Sequence, residues 1–150
     1  MEQVKVYVDG SFNNRNICGA GIVMYYDGEN NPPTIHKYHS KEKIYTDSRN
    51  VGGEIIAASM AIAHAYKKGV RNLKIFYDYE GIKKWADGEW KAKKPLTQQY
   101  RDFVASMRDK MYIEFSHTTA HTGIKGNELA DYYAKEAIDD VERDLCSLDS

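Results

Sequence analysis

The sequence has few cysteines, no long apolar run and almost no net charge. Its 150 residues include two cysteines, Cys18 and Cys146, which form neither a metal-ligand spacing nor a convincing disulfide framework. We therefore expect free thiols and a reducing compartment. No stretch approaches the roughly 20 apolar residues of a membrane span, and the N-terminus lacks the order of a signal peptide. These absences predict a cytoplasmic protein with no membrane partner.

The weak net charge limits what can be inferred about binding partners. At −1 it gives no general attraction to nucleic acid, so such a partner must be argued from local patches. A length of 150 residues with 42% hydrophobic content suits one domain with one core. Nothing in the sequence requires a protein partner, and we expect a monomer.

Apolar periodicity and turn residues predict five strands and four helices. The strands are expected at 4–8, 18–27, 34–45, 73–78 and 111–117, and the helices at 53–68, 79–88, 95–110 and 128–138. Three hairpin strands followed by alternation of helices and strands indicate an α/β fold with a five-stranded mixed sheet and helices on both faces. We expect residues 1–138 to form the domain, and the acidic residues 139–150 to form a frayed, dispensable tail.

Four acids stand at corresponding positions in this pattern. Asp9 and Asp78 end strands, while Glu54 and Asp131 fall in the first turns of helices, and Asp131 shares an inward-facing line with apolar residues. Any one alone is more simply explained as a turn or helix-start acid. Four together at the carboxyl edge of a sheet would repel one another unless a hard cation such as Mg²⁺ neutralised them.

Four motifs in this order resemble those of type 1 ribonuclease H. They are YVDGSF at 7–12, GGEIIAA at 52–58, FYD at 76–78 and AHTGIKGNELADYYA at 120–134, and the resemblance spans about residues 3–138. It implies a ribonuclease H-like fold in which Asp9, Glu54, Asp78 and Asp131 bind metal. It also implies that His121 serves proton transfer or product release from a loop that we expect to hinge on Gly123 and Gly126. The alternative for His121 is an exposed loop histidine without a role.

The resemblance further implies the reaction. The family hydrolyses the RNA strand of RNA/DNA hybrids and leaves 5′-phosphate and 3′-hydroxyl ends. Two divalent ions, Mg²⁺ with Mn²⁺ as a substitute, could activate water and stabilise the leaving oxygen. Asn127 could cap the final helix, with Glu128 as an additional acid nearby.

Contacts with the hybrid are expected in two places. The resemblance puts contacts to the RNA 2′-hydroxyl near Gly10, Ser11 and Asn50. The segment at 82–94 is locally basic and aromatic, which predicts a groove for the DNA strand formed by Lys83, Lys84, Trp85, Lys91, Lys93 and Lys94. The alternative is a solvated helix face with its tryptophans in the core.

Two other functions share these features. One is a hybrid-binding module that has lost catalysis, and the other is a different nuclease of the same fold, such as a DNA-directed enzyme or part of a polyprotein. The basic segment is shorter than in many bacterial members of the family. We therefore expect that a longer natural protein could carry an additional nucleic-acid-binding domain.

Overall fold

The protein, described by a computed structural model, is defined over residues 2–118 and 124–148. Within these ranges the chain forms five strands and five helices. In chain order they are β1 (Val4–Phe12), β2 (Cys18–Tyr25), β3 (Thr34–Ser40), α1 (Lys43–Thr46), α2 (Asn50–Lys67), β4 (Asn72–Tyr77), α3 (Gly81–Ala86), α4 (Pro95–Arg108), β5 (Tyr112–His117) and α5 (Lys125–Leu148). None of the described helices is both long enough and apolar enough to cross a bilayer.

The strands form one mixed sheet with the order β3-β2-β1-β4-β5. β1, β2 and β3 pair antiparallel, whereas β4 and β5 run parallel to β1. Helices α2 and α4 bury the larger apolar core against one face, and α5 covers a smaller cluster around Tyr7 and Tyr25 on the other. The expected five-stranded mixed sheet with helices on both faces is confirmed.

Strand β1 extends further than the sequence predicts. We expected it to end at Val8, before turn residues, but it continues to Phe12 because Gly10 pairs with Ala20 and Phe12 with Cys18 on β2. Cross-strand pairing thus overrides the local turn preference of Asp-Gly-Ser. Asp9 consequently lies inside a strand rather than at its end.

The segment after β3 was also predicted incorrectly. β3 ends at Ser40, and the short helix α1 follows, where the sequence predicted a strand to residue 45. Ile44 and Tyr45 favour strands, and this local preference led to the incorrect prediction. In the structure both side chains pack against the main core from the helical turn. Tertiary contact decides their conformation.

Helix α5 is longer than expected and includes most of the acidic tail. The predicted end at residue 138 is wrong, because the helix continues to Leu148. Asp140 pairs with Lys37 of β3 at 2.5 Å, and Glu142 accepts a hydrogen bond from Asn13. The expectation of a frayed tail from residue 139 is therefore corrected. That the tail is dispensable stays a prediction.

The start of α5 corrects two further expectations. Gly126 is not a hinge: it lies buried in the first turn, where an added Cβ would be 2.3 Å from Cδ2 of Tyr7. Asn127 is not a cap, because it lies inside the helix and its Oδ1 is 3.4 Å from the hydroxyl of Thr118. That hydroxyl also lies 3.1 Å from the carbonyl oxygen of Tyr77, which it can reach as donor. Thr118, which directly follows β5, thus links Asn127 of α5 to Tyr77 at the end of β4.

The close approach of α5 to the sheet depends on the absence of a side chain at Gly21. A Cβ at this position would be 2.1 Å from the carbonyl oxygen of Ala130 and 2.6 Å from the backbone nitrogen of Ala134. Gly21 also lies directly opposite Asp9 in the β1–β2 ladder. The helix that carries Asp131 can therefore lie against the sheet next to Asp9.

Replacing Gly21 with alanine should separate α5 from the sheet. Because backbone rather than flexible side-chain atoms would clash, we expect the Gly21→Ala free energy of unfolding in urea to fall by about 3 kcal/mol, the upper end of ordinary overpacking costs. Gly28→Asn is the control, since Gly28 has positive φ that asparagine tolerates and its added side chain has open space. Equal losses in the two variants would contradict this account.

Candidate active site

Asp9 lies on β1, and Asp78 directly follows β4, the parallel neighbour of β1. The parallel register pairs Tyr7 with Phe76, two residues before each acid, and Asp78 acts electrostatically on Glu54. β4 ends at Tyr77, so both acids stand where the parallel ladder stops. This is the carboxyl edge, at which open α/β sheets bind ligands.

Glu54 reaches the same place from α2. The helix begins at Asn50, earlier than predicted, so Glu54 lies in its second turn. The backbone N–H of Gly10 donates to Oδ1 of Asp9 at 2.9 Å and to Oε1 of Glu54 at 3.1 Å. The approach is possible because Gly10 has no side chain, since a Cβ there would be 2.2 Å from the Glu54 nitrogen. One donor thus holds together carboxylates from two elements.

Asp131 approaches from the opposite face on α5. It lies in the second turn of the helix rather than the first, and its side chain is 42% exposed and paired with Lys135 at 3.1 Å. The predicted inward position is therefore only partly realised. The side chain is nevertheless close enough to Asp9 to influence that carboxyl group.

Burial dominates the electrostatics of this cluster. Asp9 and Glu54 are only 6% and 5% exposed. Burial raises the pKa of Asp9 to about 6; Asp131 adds to the rise, whereas Glu54 and the Gly10 N–H oppose it. Burial also raises the pKa of Glu54 well above its ordinary value, with further contributions from Asp9 and Asp78. Both groups therefore resist carrying a negative charge without a compensating cation.

The donor set fits a hard divalent cation. Oε2 of Glu54 is buried and has no hydrogen-bond partner among the described residues, so it is available as a ligand. Carboxylate oxygens are the ligands that Mg²⁺ prefers. Over residues 2–118 and 124–148, however, no three Asp, Glu, His or Cys side chains are already close enough to hold an ion. Binding would therefore require small side-chain movements that bring the oxygens together.

The basic groove predicted at 82–94 is only partly formed by the expected lysines. Lys91, Lys93 and Lys94 line a cavity of about 360 Å³ with Trp85, and no ion pair engages these three lysines in the described part of the chain. Lys83 instead pairs with Asp87 at 2.8 Å, and Lys84 with Glu80 at 3.6 Å. Lys83 and Lys84 do not line the cavity, so the alternative of a solvated helix face describes them better.

Trp85 lines this cavity and also packs against the edge of the main core, whereas Trp90 does not line the cavity. Trp85 is half-buried and packs against Tyr79 and Trp90, with ring centroids 5.8 and 5.6 Å apart. The Lys84 ammonium lies 5.2 Å from the centre of the Trp90 ring, and neither residue lines the cavity. The cavity itself combines the aromatic rings of Tyr79 and Trp85 with the cations Arg49, Lys91, Lys93 and Lys94, which suits a polyanion that also presents aromatic rings.

The remaining predicted contacts lie between the cavity and the acids. Gly10 and Ser11 are on the β1 extension, and Asn50 is the exposed first residue of α2. All three lie next to the carboxylate cluster, and their contacts with a hybrid stay a prediction. His121 and Gly123 fall outside the described residues, so their predicted roles remain predictions.

Sequence reasoning missed Arg49 and Tyr79. Both line the cavity, and Arg49 precedes α2 with φ 53° and ψ −127°, an uncommon conformation for a residue with a side chain. Its carbonyl oxygen accepts a hydrogen bond from the Cys18 thiol at 3.4 Å. The signal available for Arg49 was its position as the one cation among residues Asp47–Asn50, directly before the predicted helix that carries Glu54.

Comparison with known sequences agrees with this architecture. The sequence model of the RNase H family matches residues 1–139. Human ribonuclease H1 is 32% identical over 148 residues, which cover 89% of this chain and 49% of the human protein. The chain thus spans about half the length of the mammalian relatives that it matches.

Solved structures show the same fold. RNase H1 from Halobacterium salinarum superimposes with a TM-score of 0.76 at 22% identity, covering 93% of this chain and 99% of that one. LC11-RNase H1 in complex with an RNA/DNA hybrid gives 0.69 at 18% identity, with 90% and 99% covered. The expected ribonuclease H-like fold is confirmed.

The buried glutamate should lower stability when no divalent cation is present. In chelator at pH 8, we expect Glu54→Gln to raise the free energy of unfolding, because burial raises the pKa of Glu54 and disfavours its charged form, whereas glutamine carries no charge. Urea denaturation measures the gain, and Mg²⁺ should stabilise the native chain but not the variant. A loss of stability in Glu54→Gln would show that the carboxylate is compensated by the protein itself.

Proposed function

Because the chain belongs to the ribonuclease H family, we propose that it is a metal-dependent endoribonuclease. It hydrolyses the RNA strand of RNA/DNA hybrids by a two-metal-ion mechanism and leaves 5′-phosphate and 3′-hydroxyl ends. It acts in the cytoplasm as a monomer, with the hybrid duplex as its partner and without an obligate protein partner. The bound hybrid named in the LC11-RNase H1 structure supports this substrate class.

One observation carries the proposal: two buried carboxylates share a single backbone donor and leave an oxygen unpartnered. Asp9 and Glu54 meet at the Gly10 N–H, and Oε2 of Glu54 has no partner in the described structure. A protein gains no stability from such an arrangement. It is expected where a cation binds.

Asp9, Glu54, Asp78 and Asp131 would hold the ions, Mg²⁺ or in its place Mn²⁺. When bound, such ions polarise water and the phosphate oxygens and stabilise the leaving 3′ oxygen. Asp9 and Glu54 supply fixed oxygens from the sheet and α2, whereas the half-exposed Asp131 can move to meet the substrate. We propose His121 for proton transfer or product release, since a histidine titrates near neutral pH.

Selection of the hybrid would divide between two neighbouring surfaces. Gly10, Ser11 and Asn50 adjoin the carboxylates, where they can contact the 2′-hydroxyl of the RNA strand. Arg49, Lys91, Lys93 and Lys94 with Trp85 form the cavity that would take the phosphates and sugars of the DNA strand. Lys83 and Lys84, which are engaged with acids on their own segment, contribute only general positive charge.

Cleavage of a labelled RNA/DNA hybrid in Mg²⁺ tests the reaction directly. The same RNA as a single strand and as an RNA duplex supplies the substrate controls, and Asp78→Asn and chelator supply the metal controls. We expect cleavage of the hybrid alone, with activity falling at least 100-fold in Asp78→Asn, since loss of transition-state stabilisation by about 2.7 kcal/mol is a hundredfold in rate.

Other outcomes identify the two alternative functions. Hybrid binding without cleavage in either Mg²⁺ or Mn²⁺ would indicate a module that has lost catalysis. Preferential cleavage of DNA would indicate a different nuclease of the same fold. Analysis of the product ends separates hydrolysis that leaves a 3′-hydroxyl from cleavage that leaves a 3′-phosphate.

Arg49 allows stability and binding to be separated. Arg49→Gly should raise the free energy of unfolding by roughly 1 kcal/mol, because glycine adopts this backbone conformation without strain. It should also weaken hybrid binding severalfold through loss of a cation at the cavity. Arg49→Ala is the matched control, since it removes the charge and keeps the strain. Unchanged hybrid affinity in both variants would exclude a role for Arg49 in binding.

A further inference from the structure

Two histidines stack face to face between the edge strand and helix α2, at the end of the helix remote from Glu54. The rings of His36 on β3 and His64 on α2 lie 3.7 Å apart between centroids, with an angle of 9° between their planes. Tyr38, also on β3, hydrogen-bonds through its hydroxyl to Nε2 of His64. β3 is an edge strand whose one strand neighbour in the described sheet is β2, and this contact joins it to α2.

The surroundings of the pair contain cations and phenols rather than acids. On α2 and just beyond its end, Lys67 and Lys68 act on His64 and His36 respectively. On the sheet, His36 lies opposite the apolar Ile22, and Tyr26 follows β2 with its hydroxyl buried and unpartnered in the described structure. Lys68 lies 6.0 Å from the centre of the Tyr26 ring. No described carboxylate contributes to the electrostatics of either imidazole.

Lys37 of β3 points to the other side of the sheet. It lies between His36 and Tyr38 in sequence and pairs with Glu136 and Asp140 of α5. These acids are therefore engaged on the α5 face and do not face the imidazoles. Among the described residues, a proton added to the stacked pair would therefore meet lysines and no compensating carboxylate.

We propose that the His36–His64 stack is a pH-sensitive contact that fastens strand β3 to helix α2 at neutral pH and loosens it on mild acidification. Two neutral imidazoles can stack closely, whereas the Tyr38 hydroxyl can donate to Nε2 of His64 or accept from it, so the stack is the part of the contact that protonation opposes. Protonation places positive charges in contact with each other and next to Lys67 and Lys68. The strand would then separate from α2 before the rest of the sheet opens.

The direction of the pH dependence follows from proton linkage. Burial lowers the pKa of both histidines, and for His36 the neighbouring His64 and Lys68 lower it further. The unfolded chain therefore binds more protons than the folded chain below the ordinary histidine pKa of about 6.5. The contribution of the pair to stability is complete above that pH and is lost as the pH falls toward the lowered values.

Titration of the imidazole NMR signals in the native chain is the first test. We expect the imidazole signals of His36 and His64 to titrate below the ordinary histidine pKa of about 6.5. Titration of either at or above that value would overturn the proposal, and this measurement requires no variant to fold.

Urea denaturation of variants tests the consequence. Between pH 7.5 and pH 5.5, in chelator, the midpoint of the native chain should fall by more than that of the double variant His36→Phe, His64→Gln, which can still stack and hydrogen-bond but takes up no proton. His39→Gln should behave like the native chain. The acids Asp9 and Glu54, whose raised pKa values act in the opposite direction, are present in all three proteins and cancel in the comparison.

Hydrogen exchange locates the effect. After correction for intrinsic rates, amides of β3 should lose protection at pH 5.5 relative to those of β1 and β4 in the native chain, and not in the double variant. Equal loss in all strands, or an equal fall of the urea midpoint in native and double-variant proteins, would contradict a local contact controlled by this pair.

Discussion

The close approach of two helices to opposite faces of β1 and β2 is the constraint on which the candidate site depends. Helix α2 reaches β1 where Gly10 has no side chain, and α5 reaches β2 where Gly21 has none. Because Gly21 lies opposite Asp9 in the ladder, both helices meet the sheet at the same level. Carboxylates from three elements are thereby brought to one edge by backbone packing alone.

This packing imposes an electrostatic cost. Asp9 and Glu54 are almost completely buried, and the Gly10 N–H is the backbone donor that they share. Such burial favours the neutral acids and would destabilise the folded chain if both were ionised. The extensive apolar core between the sheet and helices α2 and α4 offsets that cost. The site is therefore buried on the α2 side, while Asp131 remains half-exposed on α5.

The two ends of α2 have opposite electrostatic character. Its first turns carry the buried Glu54, next to a cavity whose rim includes Arg49 and Lys91. Its last turns carry His64, which lies near Lys67 and on which no carboxylate of the described residues acts. Acidification consequently affects the ends in opposite ways: it relieves repulsion among the carboxylates and creates repulsion at the stacked histidines. Helix α2 thus carries part of the carboxylate cluster near its first residue and one member of the His36–His64 stack near its last.

The pattern of acids was recognisable from sequence because each motif is short and local. Periodicity located β4 and α2, and the residues around Asp9, Glu54, Asp78 and Asp131 carried the family resemblance. Errors arose where long-range contacts overrode local preference. The strand through Asp9 continued because β2 pairs with it, and the acidic tail remained helical, with Asp140 and Glu142 contacting residues distant in sequence.

The arrangement of the cations was likewise beyond the sequence. The five lysines within residues 82–94 cannot be distinguished from one another by sequence. In the structure Lys83 and Lys84 pair with acids. The other three, Lys91, Lys93 and Lys94, line a cavity together with Arg49. The sequence by itself determined the order of the elements and the identity of the acids, because hydrophobic periodicity and short motifs depend on neighbouring residues. Only the tertiary structure decided which charges are buried, paired or free, because those properties depend on contacts between residues far apart in the chain.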